Sequence, residues 1–276
     1  MQFGMPTLIE NRTLEENAAL CQSLGLRFLE LNMNFPEYQI EALERTDALL
    51  RIGERFGVYY TIHLDENLNV ADFNPLAADA YRETVHRAIG AAKRLLSLRD
   101  RCGDSERPLV LNMHMHHGVH VTLPERKVQL YDRDFEPSIN AFASLRSLCE
   151  AWIGDGDVRL AVENTDGFRD YEKKAIELLL ESPVFGLTWD VGHSRSARER
   201  DVPFLLAHRD HLLHFHIHDG TETPPRSHLA LGDGEIDLRE RLVLAESRNA
   251  RCVLETKTIE ALKASVDWLR REGFLT

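Results

Sequence analysis

Arg159-Leu160-Ala161-Val162-Glu163-Asn164-Thr165 is a short apolar run that closes on polar residues, where a buried strand serving packing alone ought to finish apolar. Side chains of a strand alternate with period two, so Leu160 and Val162 share one face and Glu163 takes the other. With the apolar face on helices, the Glu163 carboxylate points inward. The same alternation in Gly186-Leu-Thr-Trp-Asp190-Val-Gly-His193 sends Leu187 and Trp189 outward and Asp190 inward, with His193 one short turn beyond. In Leu213-His-Phe-His-Ile-His-Asp219, Phe215 and Ile217 face helices while His214, His216 and His218 face the other way. Arg251-Cys-Val-Leu-Glu255 directs Leu254 outward and its terminal acid inward. Four consecutive runs therefore offer Glu, Asp, His and Glu to one volume.

Working outward from them, β-rich runs alternate with amphipathic segments along the whole chain, the pattern of repeated βα units around a parallel sheet. Strands are expected in Phe3–Leu8, Arg27–Met33, Val58–Leu64, Leu109–His116, Arg159–Asn164, Phe185–Asp190, Leu212–His218 and Arg251–Glu255. Helices are expected at Leu14–Leu24, Ile40–Phe56, Ala78–Leu98, Ser138–Trp152, Tyr171–Leu180, Val202–Ala207, Leu238–Ser247 and Ile259–Arg271. Eight such pairs close an α/β fold, the (β/α)8 or TIM barrel, and 276 residues suit one such domain over 1–276. The longest loops, around 67–76, 119–135 and 220–234, all follow strands, which places them at the C-terminal mouth; the last is a candidate lid.

A formal net charge of −12 argues against global attraction to a polyphosphate backbone, so nucleic acid is not the expected partner. No apolar run approaches the ~18 residues of a membrane span, and the opening residues lack the pattern of a secretory signal, so a cytoplasmic location is expected. Cys21, Cys102, Cys149 and Cys252 are scattered without a Cys-x-x-Cys pair, which points to neither a disulfide framework nor a thiolate zinc site.

Bare carboxylates converging on one volume would repel and protonate, whereas a divalent cation holds them ionised. Hard oxygen ligands with one imidazole suit Mn²⁺, Mg²⁺ or Co²⁺, with Zn²⁺ also compatible. Buried ion pairs are the competing explanation, and a barrel interior offers few cations for them. Earlier strands add His63, His114, His116 and His117. His116 is expected in the site and His114, deeper in its strand, in packing. His86, His120, His208 and His211 are expected at the surface.

Glu163-Asn-Thr, Asp190-x-x-His193, His216-x-x-Asp219, His228-x-x-x-Gly232-x-Gly234 and Glu255, taken in this order, resemble the xylose isomerase-like barrel superfamily, which includes sugar 3-epimerases and endonuclease IV. The resemblance covers nearly the whole chain. It implies that Glu163, Asp190, His216 and Glu255 hold one divalent metal, and that Glu163 and Glu255 serve as acid and base on a sugar carbon. His63, His116, His193 and His228 resemble the additional zinc ligands of endonuclease IV, but its Asp-x-His element here reads Arg226-Ser-His228, so one ion is expected rather than three. These four histidines and Lys257 are assigned to substrate binding. The function this implies is a metal-dependent isomerase or epimerase of a sugar or sugar phosphate, working by proton transfer through a metal-stabilised enediolate. Hydrolysis of abasic DNA and a non-catalytic sugar- or metal-binding barrel are the alternatives.

Overall fold

The computed structural model describes residues 1–275. Its eight parallel strands run Gln2–Pro6, Phe28–Asn32, Tyr59–His63, Leu109–His114, Val158–Glu163, Phe185–Asp190, Leu212–Ile217 and Arg251–Leu254. Each pairs with the next and the eighth closes on the first, giving a barrel with no open edge. We number them one to eight in that order.

The helical shell follows the apolar periodicity. Helices Val202–Ala207, Leu238–Ser247 and Ile259–Arg271 have the bounds that the pattern gives. The segment expected as one helix over Ile40–Phe56 is two, Ile40–Leu43 and Thr46–Phe56, the second ending on Gly57 in the left-handed region. The longest helix begins at Pro75, three residues before the expected Ala78, because Asn74 accepts the Leu76 N–H and proline suits the first turn. It buries Val85, Ala88, Ile89, Ala92 and Leu95 on one stripe against the sheet.

Two of the expected mouth loops contain structure of their own. Residues 119–135 include a hairpin of His120–Thr122 with Lys127–Gln129 and a short helix Leu130–Arg133. Residues 220–234 lie largely in a second hairpin, Asp219–Glu222 with Pro225–Leu229. Strands of three to five residues with mixed polarity carry too little alternation to be seen in sequence.

Inside the barrel the filling changes with depth. Gly4 faces the axis, and a Cβ there would stand 2.6 Å from the Phe28 ring, so glycine on strand one lets the aromatic of strand two cross the barrel. Phe28 stacks on Tyr59 at 5.4 Å between ring centres and touches the His214 ring at 6.1 Å. Above His214 the interior turns polar, and that upper layer is the candidate site.

Candidate metal centre

Strands five to eight deliver residues at or next to their C-terminal ends to one point, on the inward face that the alternation gives. Glu163, Asp190, His216 and Glu255 are all buried, and each presents one ligand atom within 4.8 Å of the others. His216 Nδ1 lies 3.1 Å from Glu163 Oε1, 3.0 Å from Glu255 Oε2 and 3.9 Å from Asp190 Oδ2. Register alone would separate them, since Glu163 stands abreast of Thr188 and not of Asp190. Barrel closure brings the side chains together.

Short-range contacts fix each ligand. The Asn164 side chain accepts the Asp190 N–H at 2.8 Å and donates to the Asp190 carbonyl at 2.9 Å, continuing the pairing of strands five and six past the end of the sheet. Asp190 Oδ1 caps the following helix, Val191–Ser196, by accepting the His193 N–H. His218, fully buried, is held at both ring nitrogens: Nδ1 lies 2.7 Å from the His228 backbone nitrogen and 3.2 Å from the Asp219 carbonyl, and Nε2 lies 3.0 Å from the Asp190 carboxylate. The ring fits only because residue 192 is glycine, where a Cβ would stand 1.9 Å from it.

Glu163 and Glu255 divide their oxygens. On Glu163, Oε2 accepts from Asn112 Nδ2 and lies 3.2 Å from His114 Nε2 and 3.4 Å from His63 Nε2, while Oε1 faces His216. On Glu255, Lys257 Nζ holds Oε1 at 2.7 Å, and Oε2 is buried with no aligned hydrogen-bond donor. Burial raises the proton affinity of both carboxyls, but the His216 charge beside them outweighs it, helped by His114 at Glu163 and by Lys257 at Glu255, and holds both well below the usual carboxylate range. Burial also works against the His216 cation, and Glu163, Glu30 and Glu255 together hold its proton affinity well above the ordinary imidazole.

A divalent cation fits this donor set. Among the described residues Lys257 is the single lysine or arginine paired with any of the three carboxylates; their other charged partners are imidazoles, His63, His114, His193, His216 and His218. Unmatched buried polar atoms cluster here, including Glu255 Oε2, His193 Nδ1 and Asn112 Oδ1. Three carboxylate oxygens and one imidazole nitrogen are the donors a hard or borderline divalent ion takes.

The other expected residues fall around this point unequally. His63 is buried at the end of strand three, donating from Nδ1 to the Leu64 carbonyl at 2.7 Å. His193 Nδ1 lies 3.4 Å from Asp190 Oδ2. His228, whose backbone adopts φ +58°, donates from Nδ1 to the Glu255 carbonyl at 2.9 Å. Burial and the neighbouring His218 push its pKa down to about 4, leaving a neutral ring. His116 stands further out, its Nδ1 accepting the Gly118 N–H at 3.1 Å. It lines a mouth cavity of about 490 Å³ with Glu66, Asn67, His114, Thr165 and His193. His114, expected in packing, therefore reaches the Glu163 carboxylate, whereas His116 faces only the cavity.

Asp219 and the glycines after it explain their own spacing. Asp219 accepts from the N–H groups of Gly220, Gly232 and Ile236 at 2.8–3.2 Å, and a Cβ on Gly234 would stand 2.2 Å from its Oδ1. With His228 tied to Glu255, the hairpin expected as a lid is bolted at its base. Residues that the sequence did not single out are Glu30, Asn112 and the support role of His218; inward alternation in Phe28–Asn32 was the available signal for Glu30.

A (β/α)8 barrel with carboxylates and an imidazole converging at its C-terminal mouth is the class of protein this architecture defines. The chain belongs to the xylose isomerase-like TIM barrel family, whose model matches residues 18–272. It is similar in fold to a D-tagatose 3-epimerase-like protein (20% identity, TM-score 0.73, covering 99% of this chain and 96% of that one). It is also similar to the apo form of 3-keto-D-glucoside 4-epimerase from E. coli (14%, TM-score 0.72, 98% and 99%). A third likeness is to an AP endonuclease, family 2, from Brucella melitensis (14%, TM-score 0.67, 98% of each). Among curated proteins none matches the sequence. The structural neighbours are mostly enzymes, but at these identities the likeness establishes the barrel and not the reaction. No helix among the described residues is long and apolar enough to cross a membrane.

Proposed function

We propose that this protein is a divalent-metal-dependent isomerase or epimerase of a small sugar or sugar phosphate. The observation that carries the reading is the pair Glu163 and Glu255, each turning one oxygen to His216 Nδ1, at 3.1 and 3.0 Å, beside an open cavity. Strands six and seven separate their strands, so the two carboxylates reach the centre from different walls of the barrel.

Glu163, Asp190, His216 and Glu255 would hold a divalent cation, which would polarise a substrate carbonyl. Glu163 and Glu255 then hold and move the proton on the neighbouring carbon: removal by one and return by the other inverts that carbon, while return to the adjacent carbon interconverts ketose and aldose. Asn112 and Lys257 engage one oxygen of each carboxylate, so the other is the one turned to the centre beside His216 Nδ1. His116 and His193 border the cavity, where imidazoles can bind sugar hydroxyls.

The test is exchange of substrate C–H with deuterated solvent, followed by NMR over a panel of ketoses and their phosphates with the metal-loaded chain. Glu163→Gln and Glu255→Gln keep an oxygen ligand and remove the base, and each is expected to retain metal and lose about 10²–10⁴-fold in exchange. Undiminished exchange in both variants would place the base elsewhere.

One observation favours a second reading, phosphodiester hydrolysis: His193, His218 and His228 also offer nitrogens within 4.8 Å of one another. Against it, both His218 nitrogens are engaged by Asp190 and the His228 N–H, and Arg226 is an exposed cation two residues before His228. Absence of exchange on every sugar, together with nicking of abasic DNA, would reverse the order.

A further inference from the structure

Glu30 is a carboxylate sealed into the barrel below the centre, 1% exposed, and among the described residues no lysine or arginine pairs with it. Such a group costs several kcal/mol to desolvate by the usual order of magnitude, so its partners must be worth that expense. They are two imidazoles and a hydroxyl. Glu30 Oε2 accepts from Thr61 Oγ1 at 3.0 Å and meets His214 Nε2 at 2.9 Å. Glu30 Oε1 stands 2.8 Å from His216 Nε2, with the ring N–H direction off the ideal line, although attraction of charge at that separation does not need alignment.

His216 therefore lies between two acidic sites, Glu163 and Glu255 at Nδ1 and Glu30 at Nε2. A neutral imidazole carries one N–H, and the nitrogen that ligates a cation must be the other one. Ionised carboxylates only accept and stand at both ring nitrogens, Glu163 at Nδ1 at 3.1 Å and Glu30 at Nε2 at 2.8 Å. A cation held among Glu163, Asp190 and Glu255 decides between them: it requires the Nδ1 lone pair, and Glu30 then takes the remaining proton at Nε2. A carboxylate on the far nitrogen also makes an imidazole a stronger donor to the cation at the near one.

We propose that Glu30 is the positioning residue of the metal centre: by holding His216 Nε2–H it aims the Nδ1 lone pair at the cation and sets how tightly the ion is bound. This rests on the reading of His216 as a ligand. The Glu30–His214–Thr61 group then acts as a rigid seat beneath the ligand, supplied by strands two, seven and three, while the ligands come from strands five to eight.

Two measurements test it. In the Zn²⁺-loaded wild type, ring ¹⁵N shifts should show His216 protonated at Nε2 and bound through Nδ1; binding through Nε2 overturns the proposal with no variant made. Second, Co²⁺ affinity by chelator competition, measured well below the melting temperature, should fall about 10–100-fold in Glu30→Gln, with displaced visible bands from the altered ligand field. Thr61→Val, which removes only a bond to the other Glu30 oxygen, should leave affinity within about threefold by the net worth of one neutral hydrogen bond. A folded Glu30→Gln protein with wild-type affinity and bands overturns the proposal, and should that variant not fold, the ¹⁵N result decides alone. If wild type takes up no divalent ion, the metal reading itself fails. If His216→Ala weakens binding and Glu30→Gln does not, only the role of Glu30 fails.

Discussion

The two ends of the barrel bury charge in opposite ways. At the floor, Arg251, 1% exposed, donates from Nε to Tyr59 Oη at 2.9 Å and to Asp104 Oδ2 at 2.7 Å, and its other nitrogens reach the Arg107 and Pro108 carbonyls. Asp104 in turn accepts from Tyr59 and pairs with Arg107. Every polar atom of the Arg251 and Asp104 side chains has a protein partner. At the mouth, three carboxylates share one lysine, Lys257, and a ring of imidazoles, His63, His114, His193, His216 and His218, and unmatched atoms remain on Glu255, His193, His114 and Asn112. The floor is electrostatically complete within the chain, so its return is stability. The mouth is complete only with something added, which is what a binding site requires and what a purely structural network avoids.

The contrast can be broken from either end. The largest expected effect on folding is at the floor: Arg251→Ala leaves Asp104 buried beside one remaining cation and should lower unfolding free energy by about 3–5 kcal/mol, the usual result of removing one member of a buried pair. Urea denaturation in the presence of chelator measures it, and metal affinity of the folded fraction should be unchanged. A loss below about 1 kcal/mol would mean that the floor is not a closed network.

At the mouth the sign should differ. Asp190→Asn keeps the helix cap at His193 and removes one of the crowded charges, so stability in chelator should stay within about 1 kcal/mol of wild type or rise. Elemental analysis should show the bound ion gone. A variant as unstable as Arg251→Ala would erase the distinction between the two ends.

A smaller effect separates the mouth's walls from its centre. His117 bridges Asp166 through Nε2 at 2.9 Å and Glu172 through Nδ1 at 2.6 Å, beside Arg169 and His116, and its carbonyl accepts from Tyr171. Burial disfavours the imidazolium, but the two carboxylates outweigh it and push the pKa up to about 9. Since the folded value is raised, the latch contributes fully below the unfolded pKa of about 6.5 and is lost as pH rises through about 9. The wild-type advantage over His117→Gln, measured in urea across pH 6–10, should shrink over that window. A pH-independent difference would show that the bridge does not titrate.

Much of this was legible beforehand, for a local reason. Period-two alternation in Leu160–Glu163, Leu187–Asp190, Phe215–Ile217 and Leu254–Glu255 depends only on neighbouring residues, and it placed all four inward at the ends of the correct strands. Helix periodicity worked likewise at Leu238–Ser247 and Ile259–Arg271. His114 and His116 could not be ranked that way, because they share a face and differ only in height. Which height meets Glu163 depends on the stagger between strands four and five, where His114 stands abreast of Glu163.

By itself, then, the sequence determined the eightfold βα repeat and the inward aim of Glu163, Asp190, His216 and Glu255, because strand alternation and helix periodicity are set by adjacent residues. Tertiary structure alone decided that Glu30 meets His214 and His216, 184 and 186 positions away, that Gly192 leaves space for the His218 ring, and that the hairpin after strand seven is bolted to Asp219 and Glu255. These contacts depend on barrel closure, which brings residues from distant strands to a common depth around one axis; no local period in the chain encodes that depth.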